Sequence, residues 1–66
     1  MRLRINGRER DIEGAPTVAD LLRRLELPER GVAVERNREI VPKTRHGQIM
    51  LKDGDVLEIV ALVGGG

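Results

Sequence analysis

The end of the chain constrains its fold more than any other stretch. Val56-Leu57-Glu58-Ile59-Val60-Ala61-Leu62-Val63 runs straight into Gly64-Gly65-Gly66. A run of Val, Leu and Ile bounded by Asp53-Gly54-Asp55 on one side and glycine on the other has the composition of a strand buried near the middle of a sheet. Glycine lacks a Cβ and loses more conformational entropy on ordering than any other residue. The expectation is a folded domain over residues 1–63 carrying a thin, flexible glycine tail over residues 64–66.

The rest of the chain must give that strand its neighbours. Arg2-Leu3-Arg4-Ile5 alternates polar and apolar, the period of a strand with one buried face. Asn6-Gly7 follows, a pair favoured in type I′ hairpin turns because both central residues need positive φ. Arg8 to Glu13 reads as a charged return strand suited to a sheet edge, with Ile12 its large apolar residue. After a break at Gly14-Ala15-Pro16, Thr17 takes a helix-cap position with Asp20 as capping-box partner. Val18, Leu21, Leu22 and Leu25 fall at i, i+3, i+4 and i+7, the apolar stripe of a helix that ends near Leu27, ahead of Pro28. Val32 to Arg36 reads as a third strand, Asn37-Arg38 as a turn, and Glu39-Ile40-Val41 as a short fourth strand stopped by Pro42. Lys43 to Gln48 reads as loop, and Ile49-Met50-Leu51 as apolar cover on the core.

A hairpin followed by one helix buries its apolar face by laying the helix across it. The long final strand then fits between the hairpin and the third strand. The predicted class is α+β: a ubiquitin-like β-grasp, a mixed β-sheet packed on one main helix. Its predicted core is Leu3, Ile5, Ile12, Val18, Leu21, Leu22, Leu25, Val32, Val34, Ile40, Leu51, Leu57 and Ile59. With Leu57, Ile59 and Ala61 turned to the helix, Val60 and Leu62 point outward. They are either two scattered surface aliphatics or a partner-docking patch beside the tail.

Composition narrows the chemistry. A chain of 66 residues buries only about 60% of its unfolded surface, which favours a carrier or binding module over an enzyme with a deep pocket. There is no cysteine, hence no thiol nucleophile and no thiolate metal ligand. The 12 basic and 11 acidic residues are interspersed, and without Phe, Tyr or Trp there is nothing to stack bases on, so no nucleic-acid partner is expected. Neither a signal-peptide run nor a membrane-spanning stretch is present, so a soluble cytoplasmic protein without membrane contact is expected. His46 is the one histidine and reads as a surface loop residue. Asp53 and Asp55 flank Gly54 but lack the remaining ligands of a calcium loop, so they read as turn formers and no metal is expected.

The chain end remains. A backbone carboxylate is ionised at neutral pH and is a poor electrophile until adenylation supplies a leaving group. Three extended glycines reach about 10 Å, enough to thread a narrow channel where a side chain would jam. Against this stands a simple frayed terminus.

Gly31-Val32-Ala33-Val34-Glu35-Arg36-Asn37-Arg38-Glu39-Ile40-Val41-Pro42, Leu51-Lys52-Asp53-Gly54-Asp55 and the terminal Gly65-Gly66 resemble the ThiS family, the sulfur carriers of thiamine biosynthesis. The resemblance runs from Asn6-Gly7 through Thr17-Val18 and Leu21-Leu22 to Gly66. It implies a β-grasp fold and a carrier that is not itself an enzyme and binds no cofactor of its own. A ubiquitin-activating-type adenylyltransferase would use Mg-ATP to adenylate Gly66. Sulfur originating on a cysteine desulfurase would convert that group to a thiocarboxylate, for delivery to thiazole synthase. Gly64 and Gly65 would thread the partner's active site, and Val60 and Leu62 would dock. Alternative readings that share fold and tail are the small subunit of molybdopterin synthase, a carrier for tRNA thiolation or cysteine synthesis, and a protein-conjugating modifier. A β-grasp binding module with an inert tail is the alternative of another class.

Overall fold

A computed structural model describes residues 1–28 and 30–61. Its sheet is built from two hairpins, each closed by an asparagine turn. Strands β1 (Arg2–Ile5) and β2 (Arg8–Asp11) meet at Asn6-Gly7, with φ of +50° and +82°. Strands β3 (Val32–Arg36) and β4 (Glu39–Val41) meet at Asn37-Arg38, with φ of +52° and +71°. Positive φ at both central positions matches the right-handed strand twist, which is why such turns close two-residue hairpins.

The final strand β5 (Val56–Ala61) lies between the hairpins, and the sheet order is β2-β1-β5-β3-β4. It runs parallel to β1 and antiparallel to β3. This is the β-grasp arrangement expected from the sequence. Helix α1 (Val18–Arg24) lies on one face and buries Val18, Leu21 and Leu22 completely, against Leu3, Val34 and Leu57.

Every free N–H in the first turn of α1 finds an acceptor. Thr17 Oγ1 accepts from Asp20 N at 3.2 Å, and Asp20 Oδ2 accepts from Thr17 N at 3.3 Å, the reciprocal pair of a capping box. The Val18 and Ala19 N–H groups donate to the Ile49 and His46 carbonyls, at 3.1 and 2.8 Å. That contact folds the segment after β4 over the helix start, and it corrects the expectation for His46. The residue is 6% exposed, with Nε2 buried and unpartnered among the described residues. Nothing in its neighbours in sequence marks a loop histidine for burial; the return of the chain across α1 does it. The expected loop also holds a short 3-10 turn, Lys43–Arg45.

The helix stops at Arg24, short of the expected Leu27. Glu26 adopts φ of +59°, its N–H donates to the Arg23 carbonyl, and the Leu27 N–H donates to the Leu22 carbonyl. These are the two bonds of a Schellman termination, here with glutamate where glycine is usual. Leu25 and Leu27 follow as half-buried residues packed against the core.

Two further core expectations change. Ile40 is 76% exposed and Val41, 6% exposed, takes its place. Pairing of β4 with β3 sets Val41 opposite the buried Val34, so alternation turns Ile40 outward. Ala61 shares the inner side with Ile59 but is exposed, because it lies beyond the helix, at an open crevice with Leu25, Leu27 and Val32. β2 ends at Asp11, yet Ile12 is buried, as expected, with its N–H on the Met1 carbonyl at 2.8 Å. Among the described residues no helix is long and apolar enough to cross a membrane.

Glu26→Gly removes the Cβ clash at positive φ and is expected to raise stability by about 1 kcal/mol. Urea denaturation checks this: an unchanged or lower midpoint would contradict the assignment of the helix end.

Candidate functional site at the end of the last strand

The two hairpin turns also hold the central strand. Asn37 donates its backbone N–H to the Val56 carbonyl at 2.7 Å, and its Oδ1 accepts the Val56 N–H at 2.9 Å. Asn6 does the same work farther along β5. Its backbone N–H donates to the Leu57 carbonyl at 2.9 Å, its Oδ1 accepts the Ile59 N–H at 2.8 Å, and its Nδ2 donates to the Ile59 carbonyl at 3.1 Å. A side-chain amide thus continues the β1 ladder past the point where the backbone has turned away. Beyond Ile59, the support that the pairing shows is on the β3 side, where Ala61 pairs with Val32 at the start of that strand. β5 is therefore held from both sides as far as Ile59 and by β3 as far as Ala61.

At the other end of β5 a buried carboxylate fixes the entry. Asp55 is 6% exposed and accepts from Lys52 N at 2.9 Å, Asn37 Nδ2 at 3.0 Å and Arg36 Nη1 at 3.3 Å. Burial alone would raise its pKa; the hydrogen bonds from Asn37, Lys52 and Arg36, with the arginine's charge, outweigh it and hold the carboxyl below its ordinary value. Asp53 Oδ1 accepts from Arg2 N at 2.6 Å, tying the turn to β1. These aspartates are turn formers, as the sequence implied, and Asp55 is also a buried anchor that sequence reasoning undervalued. Among the described residues no group of three or more His, Cys, Asp or Glu side chains is placed to share a metal ion.

The outward side of β5 presents Val56, Glu58 and Val60, with Val60 56% exposed as expected. Val60 pairs with Ala33 of β3, so a small apolar patch sits beside the strand end. Leu62, the other docking candidate, and Gly64, Gly65 and Gly66, the tail candidates, lie outside the described residues, as does the expected boundary at 63/64.

One helix grasped by a five-stranded mixed sheet, with the last strand at its centre, defines a ubiquitin-like β-grasp protein. The chain belongs to the ThiS family, whose model matches residues 3–66. It is 43% identical to the sulfur carrier protein ThiS of Bacillus subtilis, over 97% of this chain and 98% of that one. A crystal structure of the thiamine biosynthesis protein (ThiS) from Geobacter metallireducens superimposes with a TM-score of 0.82 at 33% identity, covering both chains completely. A thiazole synthase of Paramagnetospirillum magneticum is 54% identical over all 66 residues, but the chain spans only 20% of that protein's length.

Asp55→Asn keeps the shape and loses the charge that three donors face; a loss of about 1–3 kcal/mol is expected. Because the folded pKa is depressed, the wild-type contribution is complete above the unfolded carboxylate's value, about 3.9, and fades as pH falls through the folded one. Urea midpoints measured from neutral pH down into that range should converge for wild type and variant. A constant gap would disprove the carboxylate's role. Asn6→Gly keeps the turn but removes both side-chain bonds to Ile59, and about 1–2 kcal/mol should be lost at neutral pH in the same assay.

Proposed function

We propose that this chain is a sulfur carrier of thiamine biosynthesis, working in the cytoplasm and reacting through the main-chain carboxylate of Gly66. The family match across residues 3–66, glycine tail included, carries this reading. The near full-length likeness to a sulfur carrier supports it. The fold adds a physical reason, since a strand paired on both edges is a rigid base from which a narrow tail can be presented.

In the proposed cycle the Gly66 carboxylate attacks the α-phosphorus of Mg-ATP in an adenylyltransferase, and pyrophosphate leaves. The terminal sulfur of a partner persulfide, derived from a cysteine desulfurase, attacks the acyl carbon and AMP departs. A second partner thiol then attacks the partner cysteine's own sulfur in the resulting acyl disulfide. This releases the Gly66 thiocarboxylate and leaves a disulfide in the partner. Thiazole synthase takes the sulfur, an oxygen from its substrate or from water replaces it on the acyl carbon, and the carrier returns as a carboxylate. The thiazole synthase relative with a segment matching the whole chain supports that last partner. Gly64 and Gly65 pass through the partner's channel, while Val60 and Leu62 rest on its surface.

Protein isolated from its host should include a species heavier by the exchange of one oxygen for sulfur, localised by fragmentation to Gly66. Deleting Gly65-Gly66 should abolish it and all sulfur transfer to thiazole synthase; a truncated chain that still supports thiazole formation sinks the proposal. Val60→Glu should lower sulfur transfer at least about tenfold while moving stability by no more than about 0.5 kcal/mol, the usual bound for exposed positions.

A further inference from the structure

Asn6 and Gly7 form the turn between β1 and β2, and both are exposed. An asparagine followed by glycine is the pair most prone to lose its side-chain amide, because the next backbone nitrogen is the attacking group and glycine has no Cβ to shield it. The approach is open here: a Cβ on Gly7 would meet nothing within 4 Å. Yet the Asn6 amide is not free to react. Its Oδ1 accepts the Ile59 N–H at 2.8 Å and its Nδ2 donates to the Ile59 carbonyl at 3.1 Å, so both of its polar atoms are pinned to β5. Turning Cγ toward the Gly7 nitrogen requires both bonds to break. Asn37 is the internal comparison. Its amide is pinned likewise, to Val56 and Asp55, but Arg38 follows it, and a side chain there crowds the attacking nitrogen.

We infer that Asn6 is a deamidation site guarded by β5, and that its conversion is a one-way release of that strand near Ile59. When β5 lifts away, the Gly7 nitrogen gives up its proton and attacks Asn6 Cγ. The new N–C bond closes a five-membered imide, the bond from Cγ to Nδ2 breaks, and ammonia leaves carrying the balancing proton. Water then opens the imide at either carbonyl, giving aspartate or isoaspartate; nothing is oxidised or reduced. Neither product can close the strand as before. Aspartate sets a carboxylate oxygen against the Ile59 carbonyl where an N–H stood, so acceptor faces acceptor. Isoaspartate routes the main chain through the former side chain and adds one carbon to a two-residue turn, whose geometry fits only the regular backbone. A change at residue 6 thus acts on a strand 53 positions away. Because the closed sheet shields the amide, the reaction records time spent open and not age alone. The inference is independent of what the tail carries.

The test holds the full-length chain in mildly alkaline buffer, with and without enough urea to unfold it. Fragmentation locates the converted residue, and an isoaspartyl methyltransferase counts isoaspartate. Conversion at Asn6 should be at least about tenfold slower in the folded protein, since it waits on local opening. Asn37 should keep its amide over the time in which Asn6 converts in urea. The converted fraction, separated by its added negative charge, should unfold at lower urea and exchange the Ile59 amide proton at least about tenfold faster than wild type. Asn6→Asp supplies the aspartate product alone and should show both changes, whichever product predominates on ageing. Equal rates at Asn6 with and without urea overturn the guard. An Ile59 amide that exchanges as slowly in the converted protein as in wild type overturns the release.

Discussion

Everything in this domain depends on pairing both edges of its last strand. β5 arrives after 55 residues of chain, yet it occupies the centre of the sheet, and neither hairpin reaches the other without it. Loop closure makes such a contact entropically costly, so it must be specified by more than apolar bulk. The two turn asparagines supply that specification. Asn37 fixes the strand at Val56 and Asn6 at Ile59, so register and direction are read by hydrogen bonds while Leu57 and Ile59 supply the burial. A slip of one residue would turn Val56, Glu58 and Val60 into the core.

The same arrangement divides labour between the faces of one strand. Leu57 and Ile59 hold the helix, whereas Glu58 and Val60 face outward. Among the described residues nothing layers the second face of the sheet, and that face is neither uniformly charged nor uniformly apolar. In the proposed reading this economy suits a reactive main-chain group, which needs no pocket in its own protein, only a base paired on both edges and a surface that aligns it with a partner's pocket.

Much of the architecture was legible in the sequence because its signals are local. Asn6-Gly7 and Asn37-Arg38 announce turns through their tolerance of positive φ, and Thr17 with Asp20 announces a cap. The leucine stripe and the unbroken apolar run announce what packs on what. Where local signals compete, the reading slipped. Two adjacent apolar residues, Ile40 and Val41, cannot both face the helix, and only the register with β3 chooses. Pro28 marks the latest possible helix end, but Glu26 ends it earlier through a left-handed residue that composition does not advertise. His46 and Asp55 look like ordinary loop polar residues until distant segments close over them.

The sequence by itself determined the element order, the central place of the last strand and the family to which the chain belongs, since these rest on patterns of neighbouring residues. Only the tertiary structure decided that Glu35 and Glu58 stand side by side, that Asn6 grips Ile59 and that Asp55 is surrounded by donors. Apart from the local Lys52 N–H on Asp55, those pairs are separated by 18 to 53 positions along the chain, and register across a sheet is set by long-range pairing that no short stretch of sequence encodes.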